Sequence, residues 1–176
     1  MSQIDQLADL TTHHIEGIAR EGNKPFRVTL LSHIVGNLYT GGCPQQGAPE
    51  MFKFIVNLYP WESYPIHEHQ IVTIARLYDH GEVPDPRILR TLASYINECM
   101  KIGPTLVHCQ AGLNRSGLLA ALALVHGGME PDAAIALLRE KRCDAVLCNQ
   151  TFEKWLRAYQ RGERRAPPST STKEKA

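Results

Sequence analysis

At 176 residues, with 43% hydrophobic content and a formal net charge of +1, the chain suits one domain with its own core and excludes wholesale disorder or bulk polyanion binding. Five cysteines, an odd number at irregular spacing, do not read as a disulfide framework, and the apolar run Leu118 to Val125 is too short to span a bilayer. The polar start, Met1-Ser2-Gln3-Ile4-Asp5, carries no secretory signal, so a soluble, reducing, cytoplasmic setting is expected.

Ile4, Leu7, Ala8, Ile15 and Ile18 recur at roughly helical spacing, which predicts an N-terminal helical extension over residues 1–25, in one piece or two, closed by Gly22-Asn23-Lys24-Pro25. A folded domain over 26–160 follows. Phe26 to Leu31 and Ile34 to Tyr39 are two strand candidates ahead of a turn at Gly41-Gly42, and Phe54 to Leu58 has the unbroken apolar content of a central strand. Tyr59 to Gln70, with Pro60 and Pro65, is a loop. Ile71 to Tyr78 is rich in β-branched residues and is expected to deliver Asp79 to a loop ending at Pro84. Asp85-Pro86 is a strong helix start, and Ile88, Leu89, Leu92, Tyr95, Ile96, Cys99 and Met100 then share one face. As a crossover helix it should join two parallel neighbouring strands, the second being Thr105-Leu106-Val107. Ser116 to Val125 is apolar nearly all round and predicts a buried helix. Pro131 to Arg142 and Thr151 to Tyr159 are amphipathic helices. Residues 161–176, rich in charge, Pro, Ser and Thr, read as a disordered polar tail. The fold class is therefore α/β: a single domain with a central, mostly parallel sheet flanked by helices.

Between the strand ending at Val107 and the helix from Ser116 lies His108-Cys109-Gln110-Ala111-Gly112-Leu113-Asn114-Arg115-Ser116-Gly117. A glycine-containing loop between a buried strand and a helix N-terminus is an anion cradle, because successive backbone N–H groups converge and the helix adds its positive end. Cys109 stands at its start and Arg115 six residues later, a nucleophile and a bidentate clamp around one phosphate-sized space. Backbone N–H groups of Gln110, Ala111, Gly112, Leu113, Asn114 and Arg115 would bind phosphoryl oxygens. Gly112 permits a conformation closed to residues with a Cβ, and Ser116 is placed to hydrogen-bond the sulfur. His108 is expected to order the loop. A leaving group needs a proton, and Asp79, at the carboxyl end of a strand, is the candidate acid, with Asp85 as its competitor.

His108-Cys109 with five residues to Arg115-Ser116 resembles the signature of cysteine-based protein phosphatases, in their dual-specificity branch. Asp79, thirty positions before Cys109 in an Asp-x-Gly-x-x-Pro setting, resembles that family's general-acid loop. Asn37-Leu38-Tyr39-x-Gly41, the Ile55 to Leu58 strand and Asn149-x-x-Phe152 are further landmarks, so the resemblance covers residues 34–156. It implies a dual-specificity phosphatase-like fold and a hydrolase with a phosphocysteine intermediate and no metal or other cofactor. The substrate it implies is a phosphorylated protein or peptide, with nucleic acid and membrane disfavoured as partners and a monomer expected. The uncharged residues between Cys109 and Arg115 argue against phosphoinositide members, whose loops tend to be basic.

Other readings compete. Asn114 before Arg115 is also seen in cysteine-type RNA 5′-triphosphatases, so an RNA or nucleotide 5′-phosphatase is the second hypothesis. A phosphate-recognition module without catalysis is the third, though it has no need of Cys109. His67-Glu68-His69 invites a metal but shows no third ligand. Cys143 and Cys148 read as semi-buried thiols, and Cys43 or Cys99 as possible resolving partners for an oxidised Cys109.

Overall fold

The computed structural model describes residues 13–163, with side chains through Tyr159. A five-stranded sheet runs in the order β3-β4-β7-β5-β6, from β3 (Leu31–Val35), β4 (Leu38–Gly41), β7 (Thr105–His108), β5 (Phe54–Asn57) and β6 (Ile71–Ile74). Only the β3–β4 pair is antiparallel. The central pair follows from composition: β5 and β7 are buried at every position, so each needs both faces covered. Val56 and Val107 face the larger core, while Ile55 and Leu106 face a smaller cluster with Leu31, Ala48 and Phe52.

Four helices lie among the described residues: α1 (Pro86–Ile102), α2 (Arg115–His126), α3 (Pro131–Lys141) and α4 (Gln150–Glu163). Apolar nearly all round, α2 is the hub and packs against each of the other three. Asp85 caps α1 by accepting from the Arg87 N–H at 2.8 Å, with Pro86 as the first helical residue. No helix among the described residues is long and apolar enough to cross a membrane.

Five expectations need correction. The N-terminal helix expected to reach residue 25 gives way at His14 to a strand, β1 (His14–Ile18), paired antiparallel with β2 (Pro25–Thr29); residues 1–12 lie outside the described ones. Gly17 is a poor helix former, and the neighbouring Phe26 to Val28 supplies the cross-strand partners that a lone helix there would lack. The strand expected over Ile34 to Tyr39 is broken by a two-residue turn at Gly36-Asn37, where Gly36 takes φ +54°. The strand expected to run to Tyr78 stops at Ile74, because β5 turns away after Asn57 and leaves the edge strand no ladder beyond Ala75 N–H to Asn57 O. The strands joined by α1 are parallel but not neighbours, since β5, the more buried strand, lies between β6 and β7. Finally, α4 continues through residues 161–163, where the composition predicts the start of the tail; the rest of the tail lies outside the described residues.

Candidate active site

Strand β7 ends at His108 and α2 begins at Arg115, so the six residues between them form a loop at the carboxyl edge of the sheet. Gly112 sits at φ +71°, and a Cβ there would come within 2.3 Å of the Gly41 carbonyl carbon and 2.5 Å of an Arg142 nitrogen. No other residue fits that turn. His108 is fully buried, with Nε2 2.6 Å from the Tyr64 hydroxyl and Nδ1 3.4 Å from the Cys109 carbonyl. Burial lowers its pKa to about 4, partly offset by that carbonyl, so the ring is neutral: Nδ1–H donates to Cys109 O and Nε2 accepts from Tyr64. It ties the loop to the segment after β5.

Cys109 is 2% exposed, and its Sγ lies 3.4 Å from Ser116 Oγ. Burial works against its ionisation, but the Arg115 guanidinium, hydrogen bonds from the Ser116 hydroxyl and N–H, and one from the Gly112 N–H outweigh it and bring the thiol below its ordinary pKa. Arg115 is buried, and its Nε has no hydrogen-bond partner. Its guanidinium lies 5.0 Å from the Tyr59 ring centroid. A buried, unpaired guanidinium N–H beside an activated thiol is a donor awaiting an oxyanion.

The remaining loop positions divide. Gln110 is exposed and Ala111 half-buried, whereas Leu113 packs in the main core and Asn114 is buried. From Leu113 and Asn114 only the backbone is left to meet a phosphate. The Asn114 side chain turns instead to Asp79: its Nδ2 donates to Asp79 Oδ2 at 3.0 Å, while Asn149 Nδ2 donates to Asp79 Oδ1 at 3.0 Å. The two asparagines are themselves joined, Asn149 N–H to Asn114 Oδ1 at 2.9 Å. Thus Asp79 is brought to the loop from beyond the end of β6. Asp85, its competitor, is committed elsewhere: hydrogen bonds from the Arg87 side chain and backbone hold its carboxyl down to about 2.

The sequence profile of the dual specificity phosphatase catalytic domain matches residues 36–162. The chain belongs to this family. It is 31% identical over 117 residues to protein tyrosine phosphatase type IVA 3 of Bos taurus, covering 64% of this chain and 68% of that one. To the protein tyrosine phosphatase PRL-1 of Leishmania major it is 52% identical over 60 residues, a third (33%) of each chain. Its fold is similar to that of human DUSP28, with a TM-score of 0.65 at 15% identity over 75% of this chain and 99% of the other. OH1, a tyrosine phosphatase of Orf virus, superposes with a TM-score of 0.58 at 21% identity over 73% of this chain and 85% of its own. The protein is accordingly a dual-specificity-type protein phosphatase.

Among the residues the motif did not announce, Arg142 stands out in this phosphatase. It is 8% exposed, yet it donates to Gly112 O at 2.7 Å, Ala111 O at 3.0 Å, Thr29 O at 3.1 Å and Ser32 Oγ at 3.0 Å. By fixing two loop carbonyls outward it leaves the intervening N–H groups facing in. Burial lowers its pKa to about 10, so it stays charged at neutral pH. In sequence, Lys141-Arg142 at the end of a helix looks like an ordinary solvated terminus, which is why it escapes notice. Arg142→Met keeps the stem and removes every donor, stranding buried carbonyls at roughly 1–3 kcal/mol each. The expected result is a melting temperature lower by about 5–15 °C and a loss of activity at temperatures where the protein is still folded, read by calorimetry and by turnover at 15 °C.

Of the metal and thiol candidates, His67 and His69 engage Glu50, at 3.8 Å to its carboxylate and 2.6 Å to its carbonyl oxygen. Among the described residues no group of three or more His, Cys, Asp or Glu side chains could hold a metal ion. Cys148 donates to Glu21 O at 3.1 Å and lies 3.5 Å from Asn114 Oδ1, a structural thiol whose pKa burial raises.

Proposed function

We propose that this phosphatase hydrolyses phosphotyrosine, and also phosphoserine or phosphothreonine where the pocket admits them, through a phosphocysteine intermediate. The observation that carries the reading is the pairing of Cys109, a buried thiol with a lowered pKa, with the unpaired Nε of buried Arg115. Cys109 Sγ attacks phosphorus, forming the S–P bond as the P–O bond to the leaving group breaks. Arg115 and the inward N–H groups bind the phosphoryl oxygens as charge builds on them. Asp79 gives its proton to the departing oxygen, then takes one from the water that cleaves the S–P bond. The Ser116 hydroxyl, 3.4 Å from the sulfur, stabilises the thiolate as it leaves. Asn114 and Asn149 orient Asp79, each using one lone pair of a different carboxylate oxygen and leaving a second on each for the proton. A reducing compartment such as the cytoplasm suits a thiolate catalyst.

The test is a panel of phosphotyrosyl and phosphoseryl peptides of one sequence, a phosphoinositide and a triphosphorylated RNA. The phosphotyrosyl peptide should be turned over fastest. Preferential release of γ-phosphate from the RNA would replace this reading with the 5′-triphosphatase one, and failure to hydrolyse any of the four would leave a phosphate-recognition module.

A further inference from the structure

From the phosphate cradle a ladder of rings leads outward. The Arg115 guanidinium lies 5.0 Å from the Tyr59 ring centroid, Tyr59 is 5.1 Å from Trp61, Trp61 is 5.4 Å from Tyr78, and Tyr78 stacks on His80 at 5.9 Å with planes 6° apart. The first two rings follow the carboxyl end of β5 and the last two come after β6, on the edge of the sheet that also carries Cys109. Trp61 is 45% exposed and Tyr78 52% exposed, so the outer rings present bare aromatic surface beside the site. They are nonetheless held. Arg76 lies 5.5 Å from the Trp61 centroid, and Tyr78 meets the same ring edge to face at 63°. An exposed tryptophan fixed by a cation and a T-shaped neighbour is a preorganised wall.

We propose that Trp61 and Tyr78, continuing the Tyr59 rung, form a specificity-determining wall that receives the phenyl ring of phosphotyrosine. This inference rests on the phosphotyrosine reading of the site. Its argument is positional. A phosphate seated against Arg115 carries its phenyl ring through a single oxygen, so the ring emerges at the first rungs of the ladder, next to Tyr59 and Trp61. Phosphoserine offers a methylene there, too small to stack. A 5′-nucleotide interposes a sugar, so its base would overshoot the first rung and meet only the outer rings. Because the ladder begins at the guanidinium itself, a ring joined directly to the phosphate matches it best.

Trp61→Ala should lower kcat/KM for a phosphotyrosyl peptide roughly three- to tenfold, mainly through KM. The phosphoseryl peptide of the same sequence should change less than twofold, and Trp61→Phe should keep most of the phosphotyrosine rate. An equal change on both peptides, or none on either, overturns the wall. So does a selective loss on a 5′-phosphorylated oligonucleotide with phosphotyrosine untouched. A second measurement separates the wall from the activity it rests on. In Cys109→Ser protein, tryptophan fluorescence should respond to added phosphotyrosine but not phosphoserine, and Trp61→Phe in that background should abolish the response. A response without any phosphotyrosine turnover by the unmodified protein would retain the wall and reject the proposed activity. Turnover with no response and an unchanged peptide ratio would do the reverse.

Discussion

Cys109→Ser should abolish phosphate release from every substrate, by roughly a thousandfold or more, while leaving the affinity for tungstate or inorganic phosphate within a few-fold of the starting value. The two halves of that result come from different parts of the loop. Turnover needs a nucleophile that ionises readily, and Cys109 has its pKa brought below the ordinary thiol value by Arg115, Ser116 and the Gly112 N–H against the cost of burial. A serine hydroxyl in the same cradle stays protonated and does not attack. Binding needs the inward N–H groups and the unpaired Nε–H of Arg115, and none of these depends on sulfur. The loop is also braced from outside, by Arg142 on the carbonyls of Ala111 and Gly112 and by Tyr64 on His108, so the smaller side chain has no reason to collapse it. Calorimetric titration with tungstate and phosphate release from a phosphotyrosyl peptide read the two halves separately. Retained turnover would end the thiolate mechanism. Lost binding would mean that the sulfur holds the cradle open.

How much of this was legible beforehand depended on whether a residue's task is local. Cys109, Gly112, Arg115 and Ser116 act within one strand-loop-helix unit, and their order in sequence already carries their arrangement, because a loop of that length has few ways to join β7 to α2. The all-apolar runs of β5 and α2 likewise betray burial on every side. Apart from the local turn at Gly36-Asn37 and the C-terminal bound of α4, the structure departs from expectation where a distant partner decides. His14 to Ile18 becomes a strand because Pro25–Thr29 lies beside it, and β6 ends early because β5 bends away. Which strand separates β6 from β7 is a matter of sheet order, which local periodicity does not encode. Arg142 and Asn149 belong to the same category. Their side chains look polar and ordinary in the sequence, and their importance lies in carbonyls and a carboxylate that chain reversal brings to them from 30 and 70 residues away.

Asp79→Asn should discriminate between substrates rather than slow them all. For a phosphoseryl or alkyl phosphate substrate, whose departing alkoxide needs a proton, kcat should fall about a hundredfold or more. For a p-nitrophenyl-type ester, whose leaving group departs well as an anion, the fall should be under about tenfold. The contrast matters because Asp79 is also a structural partner. Each of its oxygens accepts from a side-chain amide, and an asparagine there would place an NH2 group against one of those donors, disturbing the link between Asn114 and Asn149. Damage of that kind reaches the loop through Asn114 and would depress good and poor leaving groups alike. Loss of a proton donor scales with the leaving group's need. Asp85 supplies the control. Held down to about 2 by Arg87 and engaged as the cap of α1, it is committed to the helix start, so Asp85→Ala should lower the melting temperature slightly and leave the leaving-group dependence unchanged. A series of aryl phosphates of graded leaving-group pKa, run on both variants, gives the slopes. An unchanged slope with Asp79→Asn would remove it as the acid and keep it only as the residue that ties the acid loop to the cysteine loop.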